Sequence, residues 1–580
     1  LQPGVTTAQA AARLSGLLRG ALPADHDTHG VNAFQRQGEE TRNVRGPLLL
    51  LAAASLLLLV VACGNVAALL VGAAIDRQQE LAVRASLGAG RGRLITQLLT
   101  ESAALSLVAA AAGVLLAFAA TRGLVLLAPE GVPRIDDATV NLRVLLFGIV
   151  LSVTCGIVFG LIPALGFSRT DLRTSISIAT RGSTGNRGRL QSVVVVAEVA
   201  LATLLLVGAG LLTRTVLALN ATNPGFAAAQ TLSLRLSIPT SRITRNIEGD
   251  SAQLVAVDAF IGAIVNEIRA IPGVRGVALT SNLPLSPDRS NNDVQPEGYE
   301  GDPIIAERRF VSHDYFSVMG IRIVEGRTLE PDDDRPGAPG RVVISEGLAR
   351  AGYPNGSPIG RGFRYWGRDN IVVGVAADIR DEDMQGATPL SFYAPRRQAG
   401  QLGATYVIRT EGDPRSYVPT IRQRVRALND AIAIISPRPM SDLIGDQIAA
   451  QRYRARLILV FAALAGLFAV MGIYGVTARA VAARTRELGI RMALGAAQKG
   501  ILGLVLRHAV RHALIGGGIG ILASLVVTRS IEAYLWGVER TDPLTLALVG
   551  ALLAAASVLA AMSPGLRAAR IEPMVALRSE

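Results

Sequence analysis

Long apolar runs alternate with polar stretches along this chain, and the runs fall into two groups. A membrane helix needs roughly 20 predominantly apolar residues. Pro47–Ile75, Ser102–Thr121 and Val144–Ser168 form a first group, and Leu190–Thr213 stands alone. Leu457–Ala478, His512–Thr528 and Pro543–Leu566 form the second. The pattern predicts seven membrane helices, the His512 run being short and glycine-rich through Gly516–Gly520.

Between the groups, residues 214–456 change period. Thr231–Ser237 alternates as a strand, and Leu254, Val257, Ile261, Ile264 and Ile268 recur at helical spacing. An amphipathic helix is therefore predicted over 251–271, stopped by Pro272-Gly273 and followed by a strand at Val277–Ser281. Such a β-α-β unit implies an α+β layer of ferredoxin-like character. Further strands are predicted at Arg341–Ser345, Ile371–Ala376 and Thr405–Thr410, separated by clusters such as Glu330–Asp334. Helical stripes recur at Ala10, Leu14, Leu17, Ala21 and at Val418, Ile421, Val425, Leu428.

Arginine supplies nearly all of the net charge of +13, and it sits in short connections beside the apolar runs. Lys and Arg number 4 in 76–101, 5 in 169–189, 7 in 479–511 and 3 in 567–580. The alternate connections, 122–143 and 529–542, hold 3 and 2. Positive-inside orientation therefore places the first set in the cytoplasm and residues 1–46 and 214–456 outside. The bilayer accounts for the basic balance, so no nucleic-acid partner is implied. Cys63 and Cys155 both lie in apolar runs, which excludes a disulfide framework.

Two cytoplasmic segments repeat each other 407 residues apart: Arg77-Gln-Gln-Glu80-Leu81-Ala-Val83-Arg84-Ala-Ser-Leu87-Gly88-Ala89 and Arg484-Thr-Arg-Glu487-Leu488-Gly-Ile490-Arg491-Met-Ala-Leu494-Gly495-Ala496. Seven of their thirteen positions are identical, which marks an internal duplication. Glu80 with Arg84, and Glu487 with Arg491, are four apart and pair on a helix face. Arg77 and Arg84, like Arg484 and Arg491, are seven apart and share that face. Leu81, Val83, Leu488 and Ile490 are expected to insert beside a partner, and Gly88 and Gly495 to end the helix. Parity predicts an entering helix, an external domain and three more helices in each half. The first half lacks the entering helix and most of its domain, so the chain is expected to be N-terminally truncated. A natural seven-span protein with an external N-terminus is the alternative.

Other chemistry is sparse. No G-x-x-x-x-G-K-[ST] occurs, so no nucleotide site and no catalytic, cofactor or metal residues are expected in this chain. Glu198 lies inside the fourth run, and intramembrane carboxylates mark ion or proton pathways or face a neighbouring helix. His26 and His29 read as a polar loop, His508 and His512 as membrane-surface residues, and Asp332–Asp334 as a solvated turn.

The pattern at 80–89 and 487–496 resembles the signature of MacB/FtsX/LolE-class ABC-transporter permeases. Ala569-Arg570-Ile571-Glu572-Pro573-Met574 resembles the class's C-terminal ending, with a weaker partner at Phe167–Leu172. Val311–Phe316, Gly320-Ile321, Val342–Ile344, Pro358–Gly360 and Val372–Asp378 resemble its periplasmic core domain. The resemblance implies an α-helical polytopic membrane protein with an extracytoplasmic α+β, MacB periplasmic core-like domain, in the duplicated two-unit form. It implies a multi-pass protein of the bacterial cytoplasmic membrane. It further implies a permease for ATP-driven export or mechanotransmission, with ATP bound by a separate, dimeric cytoplasmic ABC ATPase and a periplasmic adaptor as a further partner. A non-transporting regulator of cell-wall enzymes and an ion-driven secondary transporter are the alternatives.

The expected organisation follows. Residues 1–46 end a first periplasmic domain, and 47–168 form a first FtsX-like three-helix unit with coupling segment 76–101. Residues 169–189 are a cytoplasmic linker, 190–213 a membrane helix and 214–456 the periplasmic core-like domain. Residues 457–566 form the second three-helix unit with coupling segment 479–511, and 567–580 a cytoplasmic tail.

Overall fold

A computed structural model describes residues 7–21, 36–76, 80, 83–84, 91–128, 138–169, 184–238, 243–244 and 250–570, apart from 287, 336, 382–383, 386–387, 398–404 and 495–496. The chain divides into two compact units, Leu1–Val216 with Gln451–Glu580, and Leu217–Ala450. The first begins with α1 (Thr7–Ala21), α2 (Arg36–Asp76), α3 (Arg91–Leu127), α4 (Leu142–Arg169) and α5 (Thr184–Ala221). Asn141 starts α4, its side-chain oxygen accepting from the Val144 N–H at 2.9 Å. Helices α2, α3 and α4 surround a cavity of about 360 Å³ lined by Leu105, Ser106, Ser152 and the two cysteines. The Cys63 and Cys155 sulfurs lie 3.6 Å apart as free thiols.

Among the described residues, the second unit contains eleven strands in one continuous network. Strand β1 (Thr231–Ser237), α6 (Asp250–Arg269) and β2 (Val274–Thr280) form the expected β-α-β unit. Then follow β3 (Asn291–Pro296), β4 (Ile304–Val311), α7 (Tyr315–Met319), β5 (Ile323–Gly326) and β6 (Arg341–Ser345). Helix α8 (Glu346–Gly352), β7 (Gly362–Tyr365), β8 (Arg368–Ala376) and β9 (Ser391–Pro395) complete that lobe. A second β-α-β unit returns through β10 (Thr405–Thr410), α9 (Val418–Leu428) and β11 (Ala433–Pro439).

Two lobes result. Strands β11-β1-β10-β2 make an antiparallel, ferredoxin-like sheet. Val257, Ile261, Ile264 and Ile268 of α6 and Ile421 and Val425 of α9 are buried against Leu232, Leu234, Val277 and Ile408 of that sheet. The other lobe closes on itself: β4 pairs β3, then β7, β8, β6 and β9 follow, and β9 pairs β4 again. Phe310, Phe363, Tyr365 and Phe392 fill it. The solvated turn expected at Asp332–Asp334 needs correction. Asp333 is buried against Arg327 at 2.6 Å, and Asp334 is buried and accepts from the Arg397 N–H at 2.9 Å. These two carboxylates tie the loop down, and only Asp332 faces water.

The chain completes the first unit with α10 (Met440–Ala483), α11 (Thr485–Ala493), α12 (Gln498–Val527) and α13 (Pro543–Ala569). Among the described residues six helices are long and apolar enough to cross a membrane. The remaining expected run, Val144–Ser168, lies in α4, whose described apolar part is Leu142–Cys155. The run expected to begin at His512 belongs to a helix that starts at Gln498, inside the segment expected as a loop. Helix α5 is the centre of the bundle. Its Val195, Val199, Ala202, Leu205 and Ala209 pack on Ala54 of α2, Ala462 and Ala465 of α10, and Ala560 and Ala561 of α13. A Cβ on Gly516 would sit 2.7 Å from the Val196 carbonyl oxygen, and one on Gly520 2.5 Å from that of Ala200. Backbones this close are how membrane helices gain packing without a hydrophobic driving force.

The two lobes of the second unit share a buried charged knot. Arg309 is inaccessible to water and donates to both oxygens of Asp381 at 2.6 and 2.7 Å and to Glu307 at 3.2 Å. The Asn282 amide donates to Glu307 at 2.9 Å. Burial pushes the Glu307 carboxyl up to about 7, Asp381 adding to the rise and Arg309 opposing it. A carboxyl raised in the folded state binds a proton more tightly there than in the unfolded chain. Its stabilisation is complete below the ordinary value of about 4.5 and is lost as pH rises through about 7. Thermal unfolding of the full chain should therefore show stability falling between those limits, and Glu307→Gln should flatten that slope. An unchanged slope in Glu307→Gln would contradict this assignment.

Candidate functional site

The repeated segments differ in how fully they are described. Arg77, Leu81 and Gly88 of the first, and Gly495 of the second, lie outside the described residues, as do His26 and His29 and the tail beyond Arg570. In the first, Glu80 and Arg84 pair at 2.5 Å, and Arg84 also donates to Gln97 of α3 at 3.1 Å. In the second, α11 places Glu487 and Arg491 2.6 Å apart, one turn from each other and exposed. The same charged pair therefore faces solvent in both copies. Exposed pairs at this spacing are worth about 0.3–0.5 kcal/mol, too little to explain them as stabilising devices.

Leu488 corrects the expectation that it inserts beside a partner. It is buried with Ile501 and Val505 of α12 and Ala568 of α13, so it pins α11 to its own chain. Among the described residues of the two segments, Val83, Ile490 and Leu494 are the large apolar side chains left exposed. Arg484 starts α11 and joins Thr477, Leu488, His508 and His512 around a small cleft of about 40 Å³. The His508 and His512 rings lie a turn apart, tilted by 57° with centroids at 6.2 Å, and His512 Nδ1 is 2.8 Å from the His508 carbonyl. His512 is buried rather than at the surface. Among the described residues no cluster of three His, Cys, Asp or Glu side chains is placed to hold a metal.

Two residues that sequence reasoning passed over tie the halves of the bundle together. The Asn65 amide of α2 donates to the Phe468 carbonyl of α10 at 3.0 Å, and Arg479 of α10 donates to the Ala68 carbonyl of α2 at 2.9 Å. An asparagine inside an apolar run was the available signal, since buried polar groups in a bilayer require partners. Glu198 lies beside them on α5, 2% exposed, with neither carboxylate oxygen hydrogen-bonded.

Comparison with known proteins matches the two parts separately. The MacB-like periplasmic core domain family matches residues 192–435, and the FtsX-like permease C-terminal family matches 52–172 and 459–573. The macrolide export ATP-binding/permease protein MacB of Hahella chejuensis is 28% identical over 357 residues, covering 60% of this chain and 52% of the relative. MacB of Escherichia coli K12 is 27% identical over 292 residues, covering 49% of this chain and 45% of the relative. The chain thus spans about half the length of these relatives. The periplasmic region of MacB from Actinobacillus actinomycetemcomitans covers 38% of this chain and 92% of its own, at 16% identity and a TM-score of 0.26. The protein is a multi-pass inner-membrane permease with an extracytoplasmic α+β domain. It belongs to the MacB/FtsX-type ABC permeases.

Because Leu488 anchors the α11 helix, Leu488→Ala should destabilise the membrane unit by about 2–5 kcal/mol. Thermal unfolding in detergent measures it, and an unshifted transition would mean that α11 is held by something else.

Proposed function

We propose that this chain is the permease of an ATP-driven export or mechanotransmission system energised by a separate, dimeric cytoplasmic ATPase. The observation that carries the reading is the duplicated outward-facing Glu–Arg pair, Glu80 with Arg84 and Glu487 with Arg491. Two matching charged elements fit a partner that itself has two-fold symmetry. Val83, Ile490 and Leu494 supply apolar contact beside those charges. Glu80, Arg84 and Gly88 with Glu487, Arg491 and Gly495 shape the docking surface, flanked by Arg77, Leu81 and Arg484. Leu488 holds the second element in place. Work done by the partner enters through segments 76–101 and 479–511 and passes along the spans to the periplasmic core-like domain, where an adaptor would be engaged.

The relatives' names, macrolide export ATP-binding/permease proteins, support efflux as the kind of work done.

Reversing charge at both elements together, Arg84→Glu with Arg491→Glu, should lower ATPase recovery in pull-downs from native membranes at least tenfold. Insertion into the membrane should be unchanged. Equal recovery of the ATPase with both variants present would refute the coupling role, as would ATP hydrolysis by the purified chain alone.

A further inference from the structure

The coupling reading makes no use of Glu198, and its surroundings are unusual for a carboxyl. Its side chain sits where α2, α5 and α10 meet, in contact with two glycines. A Cβ on Gly64 would lie 2.9 Å from Oε1, and one on Gly472 would overlap Oε2. Glycine at both positions makes the space that the carboxyl fills. Both oxygens are buried without a hydrogen-bond donor.

The ionisable and polar groups of the packed helices are engaged elsewhere. Cys63 of α2 faces Cys155, the Asn65 amide donates to the Phe468 carbonyl, and Arg479 of α10 donates to the Ala68 carbonyl. On α12, the His512 ring faces the His508 carbonyl. Among the described residues no basic group forms an ion pair with Glu198. An ionised carboxylate in an apolar setting with neither counter-charge nor donors does not persist; the group takes up a proton instead.

We propose that Glu198 is a proton-binding site, held as the neutral acid at this three-helix junction and ionised when the junction opens. The position gives the proton a mechanical meaning. Asn65 and Gly472 are 407 residues apart, the same offset as the repeated segments, so they are equivalent positions of the two halves. Glu198 therefore lies on the seam between the halves. Separating Gly64 from Gly472 admits water to the carboxyl, which then releases its proton to that water and becomes an anion. Reclosure requires the proton to return. A permease that works by moving its halves would take up and give back one proton per cycle at this residue.

The test is infrared spectroscopy of the full chain in lipid bilayers across a pH series. At neutral pH ordinary glutamates are roughly 99% ionised or more. The wild-type chain should keep a protonated-carboxyl C=O band that Glu198→Gln lacks, the difference between the two chains separating Glu198 from Glu307. Gly472→Ala, which drives a methyl into the carboxyl's space, should move that band. Superimposable wild-type and Glu198→Gln spectra at neutral pH overturn the proposal, as does a band that sodium removes at constant pH. Glutamine is the neutral isostere of the protonated acid. Failure of Glu198→Gln to insert and elute as a single species would therefore also overturn it. None of these readouts depends on an ATPase, so failure here leaves the coupling reading standing, and the reverse.

Discussion

How near α5 comes to its neighbours decides the membrane part of this protein. A bilayer offers helices no hydrophobic reason to associate, so contact must come from packing and from polar groups with nowhere else to go. Gly516 and Gly520 of α12 bring that helix onto the carbonyls of Val196 and Ala200, and Gly210 of α5 accommodates the Thr545 side chain of α13. Alanines at 202, 209, 462, 465, 560 and 561 continue the same economy of volume. Large residues are kept for the lipid side, where Leu115, Leu126, Leu514 and Leu522 stand exposed. A tightly apposed centre of this kind has few intermediate arrangements, because small displacements of packed backbones meet hard contacts at once.

The extracytoplasmic domain solves a different problem. It fixes two lobes to each other through charge rather than through more apolar surface. Arg309 reaches Asp381 and Glu307 while fully buried, and Asn282 of the ferredoxin-like side joins them. Such a group is expensive to bury, and removing one partner leaves an uncompensated charge costing about 3–5 kcal/mol. Geometry is thereby specified even where the lobes share little core, since only one relative placement satisfies Arg309, Asp381 and Glu307 together.

The sequence was most legible where a period shows along the chain. β1 alternates in its residue types, and the expected limits of β1 and β10 are those observed. The α6 stripe likewise declares its inward side. β9 gives no such sign: Ser391–Pro395 is buried on both faces, so no alternation exists to be read. β3, Asn-Asn-Asp-Val-Gln-Pro, is too polar to look like a strand and is held by β4 and β7 on either side. At the candidate site the charged pairs follow from spacing alone. The inward turn of Leu488 does not, because Leu488 and Ile490 are equally apolar and only Ile501, Val505 and Ala568 decide between them. The glycines around Glu198 come from helices hundreds of residues apart, beyond any local pattern.

The closed lobe enters and leaves the four-stranded platform at one place. β2 ends at Thr280 and β10 begins at Thr405, and these two residues face each other across the sheet. The lobe is therefore a graft whose two stems emerge side by side, so its removal or enlargement leaves the host strands in register.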